Sequence, residues 1–127
     1  MITATTLEKK SLIPSSKKCN LGCGDVILDG WVNVDKFNPK ADVQSDVLDL
    51  PFADGVFEEV LLSHVIEHIS YRRHSLLLDE IHRVMEHGGK LTIGFPDFML
   101  TAKAFLENRN GERWTWWIQT LYGTQAN

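Results

Sequence analysis

The sequence predicts an α/β chain, a three-layer sandwich built on a mostly parallel sheet. Three observations predict it. Short apolar runs of strand length alternate with amphipathic stretches of helical period, which is the pattern of repeated βα units. The run Val60-Leu61-Leu62 has no polar alternate, as suits a strand covered on both faces. Glycines and carboxylates fall where strands end, the edge at which open α/β sheets hold ligands.

Residues 1–16, with their Thr, Lys, Ser and Pro14, read as a lead-in with a short helix near residues 4–10. Lys9, Lys10, Lys17 and Lys18 cluster near the start of the chain, and a solvated terminus accounts for them. Residues 17–127 read as one domain. Residues 17–21 form the first predicted strand and 31–35 the second. The link between them is too short for a full crossover helix, since parallel strands normally need a dozen or more connecting residues. One helical turn, with Gly30 bending the chain back, is expected instead. Phe37-Asn38-Pro39 is turn chemistry. Residues 42–45 are a third strand and 57–63 a central fourth. Over 71–87, Leu77, Leu78, Ile81, Val84 and Met85 recur at helical spacing, and Gly88-Gly89 follow as a stop. Residues 90–95 are a fifth strand, stopped by Pro96. A helix over 98–106 would gather Phe98, Ala102, Phe105 and Leu106 on one face, and Trp114, Trp117, Ile118 and Leu121 make a last amphipathic stripe.

The 127 residues suffice for one modest core, burying roughly two thirds of the unfolded surface. An apolar fraction of 43% is that of a globular chain. With 13 basic and 17 acidic residues the net charge is −4, which argues against a nucleic-acid partner, whose binder carries a basic face. No run is long and apolar enough for a membrane span, and the start has no secretion-signal pattern. Two cysteines only four residues apart make no useful staple, so a reduced, cytoplasmic setting is expected.

The chemistry concentrates in Leu21-Gly22-Cys23-Gly24 and Asn33-Val34-Asp35. Alternate glycines let backbone approach a ligand. A carboxylate closing the next strand can accept hydrogen bonds from two neighbouring hydroxyls, such as those of a ribose. Asp46 and Ser63-His64 fall at the same strand ends. Together they predict a nucleoside-containing cofactor. A nicotinamide enzyme fits less well, because the third glycine of its fingerprint is missing and its acid is expected ~20 residues beyond the glycines.

These pieces, with Asp46-Val47-Leu48-Asp49-Leu50-Pro51-Phe52, Ser63-His64-Val65-Ile66-Glu67-His68-Ile69 and Gly88-Gly89-Lys90-Leu91, come in one order over residues 17–97. In that order the chain resembles the class I S-adenosylmethionine-dependent methyltransferases, and within them the type 11 group. The resemblance implies a Rossmann-like sheet of strand order 3-2-1-4-5. It also implies methyl transfer from S-adenosylmethionine, which leaves S-adenosylhomocysteine, to a small-molecule acceptor. Carried over by position, Leu21, Gly22, Cys23 and Gly24 would form the cofactor-binding turn, with Gly22 and Gly24 passing under the methionine portion, and Asp35 would hold the ribose hydroxyls. Asp46 and Val47 would border the adenine, and Ser63 and His64 would line the methyl-transfer side, His64 being the candidate base.

The family continues past the fifth strand with an antiparallel hairpin that this chain is expected to lack, as if truncated. Its fifth strand would then be an open edge, relieved by a homodimer there or through the tryptophan stretch. A chain that has lost its acceptor site would bind the cofactor without turnover. His64-Val65-Ile66-Glu67-His68 also fits H-x-x-E-H, a zinc-hydrolase pattern in which both histidines must share a helix face. A strand running into His64 argues against that.

Overall fold

The computed structural model describes residues 10–107. Five strands form one sheet in the order β3-β2-β1-β4-β5. They are β1 (Lys18–Leu21), β2 (Val32–Asp35), β3 (Val43–Gln44), β4 (Phe57–Ser63) and β5 (Met85–Gly94). Every neighbouring pair is parallel, so the sheet is the Rossmann-like arrangement expected. Two helices flank it, α1 (His74–Val84) and α2 (Phe98–Glu107), with 3-10 turns at Ile66–His68 and Tyr71–Arg73.

The sheet's two faces differ. Parallel register aligns Cys19 with Val32 and Val60, and Leu21 with Val34 and Leu62. Those side chains are buried on one face against Leu77, Ile81 and Val84 of α1 and against Leu50 and Phe52. Phe52 meets Phe57 edge to face, ring centroids 4.9 Å apart, an arrangement rings prefer. Each such buried side chain stabilises the fold by roughly 1.5–3 kcal/mol. A charged clamp closes this layer. Glu80 is only 7% exposed and accepts the Leu50 N–H at 2.8 Å. Arg83 grips Glu80 through Nε at 2.9 Å and Nη2 at 2.8 Å, and donates to the carbonyls of Phe52 (2.8 Å) and Leu50 (3.2 Å).

The opposite face carries Lys18, Asn20, Asn33 and Glu59. Here two asparagines replace a crossover helix: residues 22–31 hold no helix. Asn33, 2% exposed, accepts the Leu28 N–H at 2.9 Å and an Nδ2–H of Asn20 at 3.0 Å. Its own Nδ2 donates to the Leu28 and Trp31 carbonyls and to Asp42, at 3.0, 3.1 and 3.0 Å. Asn20 holds the Val26 carbonyl at 2.9 Å. The irregular link is thus tied at four backbone groups, which is what lets it replace a helix over a buried surface. Asn33→Ala should lower stability by about 2 kcal/mol, because several buried partners lose their bonds together. Urea unfolding reads this, and a midpoint equal to wild type would refute the role.

Several expectations change. The helix predicted over 71–87 is a 3-10 turn followed by α1, which ends at Val84. Its last carbonyls are taken by a distant loop: Gly55 N–H bonds Arg83 at 2.9 Å and Val56 N–H bonds Val84 at 2.8 Å. Leu78 is exposed rather than part of the buried stripe. Gly88-Gly89 therefore lie within β5, where the four residues Glu86, His87, Gly88 and Gly89 lie opposite the single Glu58 of β4, and Gly88 turns the bulge at φ +80°. His87 sits in that bulge, not at a helix end. In α2 the buried residue is Thr101, and Phe98 and Leu106 of the expected face are exposed. The lead-in is tied to the body from Lys10 onward: Leu12 pairs with Phe52, and Ser16 Oγ donates to the Gly30 carbonyl at 2.8 Å. The helix expected near residues 4–10 and the tryptophan stripe lie outside the described residues, save Lys10. No helix among the described residues is long and apolar enough to cross a membrane.

Candidate functional site

Parallel strands all deliver their carboxyl ends to one rim. Between the β2, β3 and β4 ends lies a cavity of about 600 Å³. Gly22, Asp35, Asp46, Val47 and His64 all line it. Leu21 and Cys23 are buried and do not line it. Gly24 and Ser63 are exposed beside the cavity without lining it. A larger cavity, about 850 Å³, opens at the amino ends of the strands against Gly55, His82 and Gly88, and none of the expected site residues reaches it.

Asp35 organises the rim. Oδ2 accepts the Gly24 N–H at 3.0 Å, and Oδ1 accepts the N–H groups of Phe37 and Asn38 at 2.8 Å each. Burial would push this carboxyl up, but the three amide bonds outweigh it and hold it below the usual carboxylate range. Two carboxylate oxygens offer about four lone-pair positions, so some acceptor capacity is left for a ligand. Cys23, by contrast, is a thiol whose pKa is raised, first by burial and then by the nearby Asp35 charge, so it is a poor nucleophile.

Gly22 is where β1 must turn away from β4. It sits at φ +64°, and a Cβ there would collide with the Val65 side chain. Gly22→Ala should cost about 1–3 kcal/mol from the left-handed backbone and the forced shift of Val65. Equilibrium denaturation checks it, and a variant within about 0.5 kcal/mol of wild type would contradict the packing.

Asp46 is partly occupied: Oδ1 accepts the Leu48 N–H at 3.0 Å and Oδ2 meets Lys36 Nζ at 3.3 Å. It both caps its own turn and faces the cavity. Phe37, read from the sequence only as part of a turn, is 82% exposed and lines the same cavity beside Asp35. Its signal was its place, two residues after the strand-end acid. Arg73 was also missed; it reaches the cavity from the turn before α1, and nothing in the local sequence pointed there.

β4 runs straight into His64, whose φ of +55° makes it the one non-glycine in the left-handed region among the described residues. Its N–H is held by the Gly94 carbonyl at 2.8 Å. His68 lies in the 3-10 turn Ile66–His68. The two histidines therefore share no helix face, and the H-x-x-E-H spacing loses its meaning as a pair of metal ligands. Among the described residues no group of three His, Cys, Asp or Glu is arranged to hold a metal. The two rings instead flank Glu67: His64 Nδ1 is 3.4 Å and His68 Nε2 3.9 Å from Oε1. His74, at the start of α1, steadies this loop through Nε2 contacts to the Ile66 and Ile69 carbonyls at 3.1 and 2.8 Å.

The family model described as "Methyltransferase domain" matches residues 20–93. A protein of Encephalitozoon cuniculi, provisionally named a methyltransferase, is 44% identical over 52 residues, 40% of this chain and 25% of its own. An uncharacterized protein of Methanocaldococcus jannaschii is 39% identical over 49 residues, 39% of this chain and 20% of its own. The matched region thus spans a quarter or less of these relatives. No solved structure matches the chain.

Proposed function

This chain belongs to the methyltransferase-domain family, and on that premise we propose that it transfers a methyl group from S-adenosylmethionine to a small-molecule acceptor. The observation that carries the reading is the meeting of Gly22, Asp35, Phe37, Asp46, Val47 and His64 around one cavity. These residues fit an adenosyl group. Asp35 accepts the ribose hydroxyls with its remaining lone pairs. Phe37 offers an open aromatic face to the adenine, and Asp46 and Val47 border its edge. The Gly22 backbone lines the cavity and would lie against the methionine portion.

When bound, the cofactor supplies an activated methyl group through its sulfonium. The chain's own task is to hold an acceptor atom in line with it, and positioning of this kind removes roughly 7–11 kcal/mol in the best model systems. His64 lines the cavity and is solvent-exposed, which supports it as the group that takes a proton from the acceptor.

Calorimetric titration with S-adenosylhomocysteine tests cofactor binding, and transfer of a labelled methyl group over a panel of small acceptors tests turnover. Saturable binding with transfer is expected. Binding without transfer to any acceptor would reduce the chain to a cofactor-binding unit, and absence of binding would remove the reading altogether.

A further inference from the structure

We propose that Glu67 is a positioning residue that fixes the proton of His64 on Nδ1, so that the site takes an acceptor bearing a hydroxyl. The inference rests on the methyl-transfer reading for its chemistry but not for its geometry. Glu67 opens the first 3-10 turn after β4, and its side chain is 9% exposed. Its Oε1 stands 3.4 Å from Nδ1 of His64. That is long for a finished hydrogen bond, yet it is the nearer ring nitrogen that faces the carboxylate. A carboxylate accepts only, so it favours the tautomer with the proton on the nitrogen it faces. The far nitrogen, Nε2, is then left with its lone pair on a ring that lines the cavity and is 66% exposed.

The neighbouring imidazole is arranged the other way round. His68 also lines the cavity, but it meets the same Oε1 through Nε2, at 3.9 Å. The carboxylate therefore faces Nδ1 of His64 and Nε2 of His68, so the two rings are turned oppositely toward it. The backbone adds a second reason. His64 is held at φ +55° and by the Gly94 carbonyl, a conformation that costs a non-glycine residue about 1–3 kcal/mol and that surrounding structure must impose. Such strain sets the ring at the end of β4 instead of letting it follow the strand.

The step this serves balances simply. The acceptor oxygen forms a bond to the methyl carbon. The carbon–sulfur bond breaks and its electron pair stays on sulfur. The hydroxyl proton passes to Nε2 of His64, and from that exposed ring to water. A carboxylate acceptor would have no proton to give and no use for the pair.

The decisive measurement is the ¹⁵N spectrum of the His64 ring in the full chain at a pH where the ring is neutral. A roughly fivefold excess of the Nδ1–H form is expected, the scale a part-exposed carboxylate contact supports. Glu67→Ala, which removes the acceptor altogether, should lose that excess while S-adenosylhomocysteine affinity stays as in wild type. A wild-type majority of the Nε2–H form overturns the proposal without any variant, so a misfolded variant cannot shield it. An unchanged tautomer ratio in folded Glu67→Ala overturns it as well. Methyl transfer to carboxylic acids but to no phenol or alcohol would overturn the acceptor class. Failure to bind S-adenosylhomocysteine would count against the methyl-transfer reading alone, and the tautomer would still judge Glu67.

Discussion

Asp35→Ala should weaken S-adenosylhomocysteine binding at least tenfold, about 1.4 kcal/mol or more. Two losses combine. The ribose hydroxyls lose an ionised acceptor, and charge-assisted hydrogen bonds are the stronger kind. The rim also loses its organiser, because Gly24, Phe37 and Asn38 all donate to this carboxylate. Glycine turn and aromatic face are therefore held in register by the group that also meets the ligand. Asp35→Asn separates the two contributions: it keeps the size and one acceptor oxygen but removes the charge, and should fall between wild type and alanine. Calorimetry on folded protein reads all three. Equal affinity in wild type and Asp35→Ala would remove the ribose assignment.

Arg83→Ala should cost about 3 kcal/mol and lower the melting midpoint by roughly 10 °C. The variant strands the Glu80 carboxylate, which is 7% exposed and keeps only the Leu50 N–H and Lys10, at 3.8 Å, as described partners. It also releases the carbonyls of Leu50 and Phe52, and with them the loop that packs Phe52 against Phe57. The pH dependence carries the signature. Burial pushes Glu80 up, but the hydrogen bonds from Arg83 and Leu50 and the charges of Arg83 and Lys10 outweigh it and hold the carboxyl low. A depressed folded pKa contributes stability that is fully present above the unfolded value, about 4.3 for a glutamate, and is lost as pH falls through the folded value. Asp35 and Asp42 are depressed too and add with the same sign. Wild type should therefore lose stability on acidification below that range, and Arg83→Ala should lose less over the same interval. Urea unfolding across that range gives both slopes, and parallel slopes would exclude the clamp as the source.

Much of this was legible along the chain. β4 has the bounds its apolar run predicted, Phe57–Ser63, because a strand buried in mid-sheet has its apolar demand written in consecutive residues. Asp35 closes β2 as the run Trp31-Val32-Asn33-Val34-Asp35 implied, and it shares a cavity with Asp46, Val47 and His64. The end of α1 was not legible. The apolar period runs on to Met85, yet the helix stops at Val84 because Gly55 and Val56, about thirty residues earlier, bind its last carbonyls. The role of Asn33 was hidden for a similar reason. An asparagine in a strand carries no periodic signal, and its value comes from carbonyls and amides that only the folded link supplies.

The sequence by itself determined the alternation of strand and helix, the places where strands hand over to glycine or acid, and through its ordered motifs the family. These are local properties, set by side-chain period and backbone freedom within a few residues. Tertiary structure alone decided which strand-end groups face one cavity, that the Glu67 carboxylate stands between two imidazoles, and that the link without a helix is pinned by buried asparagines. Each of those depends on distances between residues from separate turns and strands, and such distances exist only once the sheet has set its register.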